Sequence, residues 1–336
     1  MSREEIQRAL ASAGEVPARP FPRGVATPDG GTGFLAAPRD AVLAVDLDGG
    51  RRIWSAALAG QPLVATDGGV IVARPLAPGA LALVLLDARD GRELGRCEVR
   101  FAGGVDVARM LADGGLRPAV SEGSVLVEWR ATSKYEGGAP PPQFVEERAG
   151  RSRAGAFRCE LGGERIEAEP SDHAAERTAV RPSFGYRSGG RWRETSWRLD
   201  GGEARLARDP DGAIVLETFD AGGAPARGPT VVAESEAVEP TVTTDGRFLL
   251  VRRTAPPDPW WRVWSVSGHE QVATVAYPVG ADFPAVLEGR LYVLAPGEEG
   301  GPPRLVAIDL ESGDVLWALE TGPLAEEAPP RLPPRR

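Results

Sequence analysis

From about residue 16 onward, apolar and polar positions alternate in short runs of five to eight residues, each stopped by a turn-forming pair. A period of two is the signature of a strand with one face inward, so the pattern predicts many short β-strands rather than helices. Asp29-Gly30, Asp67-Gly68, Glu122-Gly123, Asp211-Gly212, Asp245-Gly246 and Glu288-Gly289 each precede an apolar run: GTGFLAA, GVIVA, SVLVE, AIVLE, RFLLV and RLYVL. The chain contains no asparagine, so acidic residues followed by glycine supply the tight hairpin turns. A second series of turns, at Gly49-Gly50, Gly91, Gly162-Gly163, Ser267-Gly268 and Ser312-Gly313, interleaves with the first. Two interleaved series define units of four strands.

Such units begin near Arg19, Gln61, Val107, Gly190, Ala237 and Ala281, at steps of 42, 46, 83, 47 and 44 residues. Six units are expected, with insertions in the third at about 136–143 and 171–190, or seven if the long step contains another. Repeated four-stranded sheets of this length are expected to pack radially as the blades of an all-β propeller occupying residues 16–323, which leaves no long free edge. Before them, Ser2-Arg3-Glu4-Glu5 reads as a capping box, followed by Ile6, Ala9, Leu10 and Ala13 at helical spacing. A short amphipathic helix within residues 1–15 is expected to lie across the main domain. Residues 324–336 are rich in Pro, Glu and Arg and read as a disordered tail.

Three hairpins carry one spacing. Asp46, Gly50, Ile53 and Trp54 recur as Asp87, Gly91, Leu94 and Gly95, and as Asp309, Gly313, Leu316 and Trp317. This hairpin resembles the tryptophan-docking repeat of the quinoprotein (PQQ-like) β-propeller superfamily. The match is good at Asp46–Trp54 and Asp309–Trp317, partial at Asp87–Gly95 and degenerate around Trp264–Gly268, and covers about half the chain. The resemblance implies that each Trp packs between neighbouring blades and that its indole N–H bonds to the backbone of the next blade. Quinoprotein dehydrogenases of that superfamily hold PQQ with a metal ion bound by Glu, Asn and Asp, and often have a vicinal disulfide. This chain has no Asn, and its two cysteines, Cys97 and Cys159, are far apart in sequence. A non-catalytic member is therefore expected, with no cofactor and no metal.

Composition narrows the partners. A formal charge of −9 and a pI near 5.1 repel phosphate backbones and anionic lipids, so neither nucleic acid nor membrane insertion is expected. No apolar run is long enough for a transmembrane helix, and the first twenty residues lack the apolar core of a secretory signal, which reads as a cytoplasmic chain. In that setting the cysteines could pair, but are expected to be reduced and packed. The two histidines, His173 and His269, fall in a charged insertion and at a turn, where both read as solvated. The acidic pairs Glu146-Glu147, Glu298-Glu299 and Glu326-Glu327 read as solvated faces. The most aromatic stretch is Pro259–Trp264, in which Trp261 beside Arg262 is the candidate contact for a protein partner. The expected function is a monomeric scaffold that binds another protein through its loop faces. The alternative is a quinoprotein-like enzyme or a small-ligand sensor using the central channel.

Overall fold

The computed structural model describes residues 3–10, 19–38, 40–101, 105–112, 114–121, 124–131, 153–163, 165–168, 170, 195–199, 201–234, 238–242, 246–253, 260–276, 284–297 and 301–322. Five features of the sequence lie outside them: the Ser2 cap, both insertions, His173, the three acidic pairs and the tail. The described residues are almost entirely β-strand, in six sheets. They divide into two compact units, residues 1–178 with 296–305 and 317–336, and residues 179–295 with 306–316.

In the first unit, helix α1 (Arg3–Leu10) precedes a sheet of β1 (Arg19–Phe21), β2 (Gly24–Ala26), β3 (Thr32–Ala37), β4 (Ala41–Asp46) and β5 (Arg51–Ala56), ordered as in the chain. The second sheet contains β6 (Gln61–Ala65), β7 (Gly69–Ala77), β8 (Ala80–Asp87) and β9 (Glu93–Phe101). A short helix, α2 (Val107–Ala112), leads to a third sheet of β10 (Leu116–Ser121), β11 (Ser124–Ala131) and β12 (Arg153–Cys159). The next strand, β13 (Ile166–Ala168), departs from the four-strand expectation. It leaves the third sheet and pairs parallel to β9, with Ile166 opposite Val99 and Ala168 opposite Phe101. The outer edge of β9 offers unpaired backbone groups, and Ala168 is buried once it pairs there.

The second sheet explains an oddity of the sequence. β8, ALALVLLD, is continuously apolar because both its faces are covered. Ala82, Val84 and Leu86 meet Val25, Phe34, Val42, Ala44 and Trp54 of the first sheet. Leu81, Leu83 and Leu85 share a larger core with Val125, Val127, Trp129 and Phe157 of the third. Ile6, Ala9 and Leu10 of α1 complete that core. The buried Thr66 hydroxyl fixes the end of the helix by donating to the Ala9 carbonyl at 2.6 Å, while it accepts from the Gly69 N–H at 3.0 Å.

In the second unit, β14 (Thr195–Leu199), β15 (Gly202–Arg208), β16 (Ile214–Asp220) and β17 (Pro225–Ala233) form one antiparallel sheet. Its neighbour contains β18 (Val238–Val242), β19 (Phe248–Arg253), β20 (Trp260–Ser265) and β21 (Glu270–Ala276). The sixth sheet is β22 (Ala285–Leu287), β23 (Arg290–Ala295), β24 (Arg304–Asp309) and β25 (Val315–Glu320), of which Arg304, Leu305 and residues 317–320 are counted with the first unit. β19 repeats the two-sided logic of β8. Its Leu249 and Val251 pack with Leu206 and Leu216 of the fourth sheet, and its Leu250 with Leu291, Val293 and Ile308 of the sixth.

Candidate functional site

The repeated hairpin has three parts, each with a separate task. The Asp folds the turn: the Asp46 carboxylate accepts the N–H groups of Asp48 and Gly49 at 3.1 and 3.2 Å. Asp87 accepts from Arg89 at 2.9 Å, and Asp309 accepts from Glu311 and Ser312 at 2.9 and 2.7 Å. The side-chain bond from Arg51 and the turn amides hold the Asp46 carboxyl below its usual range; for Asp309 the Ser312 amide leads. Four residues on, the glycine N–H returns to the Asp carbonyl at 2.9 to 3.0 Å, and Gly50, Gly91 and Gly313 all take positive φ. An L side chain there would be strained.

The tryptophan belongs to the next joint. Trp54 on β5 donates from Nε1 to the Ala88 carbonyl at 2.8 Å, so its ring lies on the Gly91 turn of the second sheet. Trp317 on β25 donates to the Leu47 carbonyl at 3.3 Å and lies on Gly50 of the first sheet. Arg52 reinforces that joint by donating to the carbonyls of Glu320 and Gly322. Each hairpin therefore presents a glycine to one neighbour and, where the indole is present, an indole to another. The second sheet has Gly95 in place of the indole, and the joint there is made by backbone: the Gly162 N–H donates to the Arg96 carbonyl at 2.8 Å.

Sequence reading missed a third indole joint. Trp197 on β14 donates to the Gly246 carbonyl at 3.1 Å, again above a glycine with positive φ. The available signal was a Trp in an alternating run together with an acidic-glycine turn, but the contact links residues 49 apart outside the repeated spacing.

His269 corrects the solvated reading. It occupies the β20–β21 turn at φ 54°, half-buried, with Nε2 2.8 Å from the Thr218 hydroxyl and Nδ1 2.9 Å from that of Thr230. The imidazole thus bridges to β16 and β17 of the neighbouring sheet. Burial first, and then the Arg227 charge, hold its pKa below the ordinary 6.5. Arg227 also donates to the Gly268 carbonyl at 2.6 Å. With threonine on both nitrogens, the ring works as a structural tie.

Trp261 and Arg262 lie at the start of β20, opposite Arg252 and Val251 of β19. Arg262 is half-buried. Trp264, further along, packs on the core between the fourth and fifth sheets. No helix among the described residues is long and apolar enough to cross a membrane.

The described residues do not offer the donor set that quinoproteins use for PQQ and its metal. There is no Asn, Asp46 and Asp309 turn their carboxylates onto their own amides, and among the described residues no three His, Cys, Asp or Glu side chains gather as metal ligands.

No family model and no curated protein matches the chain. Solved structures give loose likenesses. BamB from Moraxella catarrhalis is 15% identical, over 89% of this chain and 77% of its own, at a TM-score of 0.25. The Dos1 propeller is 11% identical, over 87% of this chain and 68% of its own, at 0.25. The apo AtxE2 isopeptidase is 11% identical over 95% of this chain at 0.48, and this chain spans 54% of its length.

Proposed function

We propose that the chain is a non-catalytic β-propeller scaffold of the PQQ-like repeat type, its six sheets serving as blades, that binds another protein through its loop faces as a cytoplasmic monomer. The observation that carries this reading is the use made of the repeat. Its aspartates fold turns, Gly50 and Gly91 seat rings and its tryptophans fasten sheets, so the repeated residues of the hairpin serve to build a rigid platform. Rigid repeats commonly carry function on their connecting loops. Trp261 and Arg262 are the proposed contacts, because the start of β20 is where the 254–259 connection enters the fifth sheet.

The test is native mass spectrometry of the chain purified from its own cells without added cofactor, beside Trp261→Ala and a deletion of 136–143. A stoichiometric polypeptide partner that is lost from variants of unchanged melting temperature supports the scaffold. A retained mass matching PQQ with a metal ion, or dye-linked alcohol oxidation, replaces it with the enzyme or sensor reading.

A further inference from the structure

Cys97 and Cys159 are the only cysteines of the chain, and folding brings them together although 62 positions separate them. Cys97 is on β9 of the second sheet and Cys159 ends β12 of the third, at 1% and 0% exposure within one core. Two contacts align these two strands around the pair. The Gly162 N–H reaches the Arg96 carbonyl at 2.8 Å, Phe101 meets Phe157 edge-on at 6.1 Å, and both thiols are buried in the one core that these strands share. Alternation places Cys97, Val99 and Phe101 on one face of β9, and Phe157 and Cys159 on the facing side of β12.

We propose that Cys97 and Cys159 form an oxidation site, closing to a disulfide that staples the second sheet to the third. The oxidant is a small-molecule disulfide such as oxidised glutathione. One cysteine attacks as thiolate, forming a mixed disulfide and releasing one glutathione thiolate. The thiolate of the other then displaces the second, so that the two cysteines lose two protons and two electrons and two glutathione molecules are produced. Burial admits the oxidant only when the joint opens, so closure accompanies folding or a transient opening of the two sheets. The joint that carries the pair is the one at Gly95, where the repeat has no indole to fasten it.

The reduced chain is refolded from denaturant in a buffer of oxidised and reduced glutathione, quenched with acid and alkylated. The expected product is lighter by two hydrogen atoms, takes up no alkylating agent, yields a peptide linking Cys97 to Cys159, and unfolds at a higher denaturant midpoint than the reduced form. Separate glutathione adducts or free alkylated thiols in the refolded chain overturn the proposal, as does a bridged form that unfolds more easily. Cys159→Ser, treated identically, is expected to unfold at the same midpoint in oxidising and reducing buffer; a shift that persists in this variant also overturns it.

Discussion

At Gly91 an added methyl group would lie 2.7 Å from the Trp54 ring, and at Gly50 it would collide with the ring of Trp317. Gly91→Ala therefore incurs left-handed strain of about 1–2 kcal/mol and also lifts the ring, for a total near 3 kcal/mol. Trp54 is 8% exposed, so Trp54→Ala is expected to cost about 3–5 kcal/mol, and the half-buried Trp317 about 2 kcal/mol, in chemical denaturation. In a double-mutant cycle, Gly91→Ala should cost only its strain once Trp54 is gone. Full additivity would show that ring and glycine do not meet. His269 gives a pH signature. Its folded pKa lies below 6.5, so the neutral ring contributes stability above that pH, which is lost as pH falls from 6.5 to the folded value. His269→Gln should abolish this slope in melting curves and leave a second, more acidic loss, in which depressed carboxylates such as Asp46 protonate below 3.8. The Asp-Gly-Trp spacing was legible in the sequence because its turn is local. The partners of His269 and Trp197 were not, since nothing within a few residues of either encodes a contact 39 to 51 positions away.

Strands were legible wherever one face meets water or a turn pair intervenes, and the acidic-glycine pairs mark hairpins throughout. β13 shows where that reading stops. A three-residue strand with alternating burial says that it pairs, not with what, and the open edge of β9 outcompeted the third sheet. α1 makes the same point for helices. Eight residues are too few to hold a helix in water, so its order derives from the core it completes. Leu10, 1% exposed, is the main apolar anchor; Leu10→Ala should cost about 2–4 kcal/mol and release α1 to rapid amide exchange, while the turn amides beside Trp54 stay protected. Loss of protection at both places would make the helix part of the same cooperative unit as the first sheet.

At the scale of the molecule, the six sheets of the described residues share one building rule, and the exceptions to it carry information. Two sheets have five strands and one has three, because β13 changes partner and because the first sheet begins with an extra short hairpin, β1–β2. The alternating pattern does not convey these exchanges, which depend on edges being free at a given moment. The joint between Trp317 and Leu47 adds a temporal dimension. Its two residues are 270 positions apart, and Arg52 reaches equally far to Gly322. During synthesis at about 5–20 residues per second, the first sheet must wait on the order of tens of seconds for the indole that seats on it. For that interval the nascent chain carries an uncovered Gly50 turn, and the sheet that holds it is finished by a strand made 270 residues later.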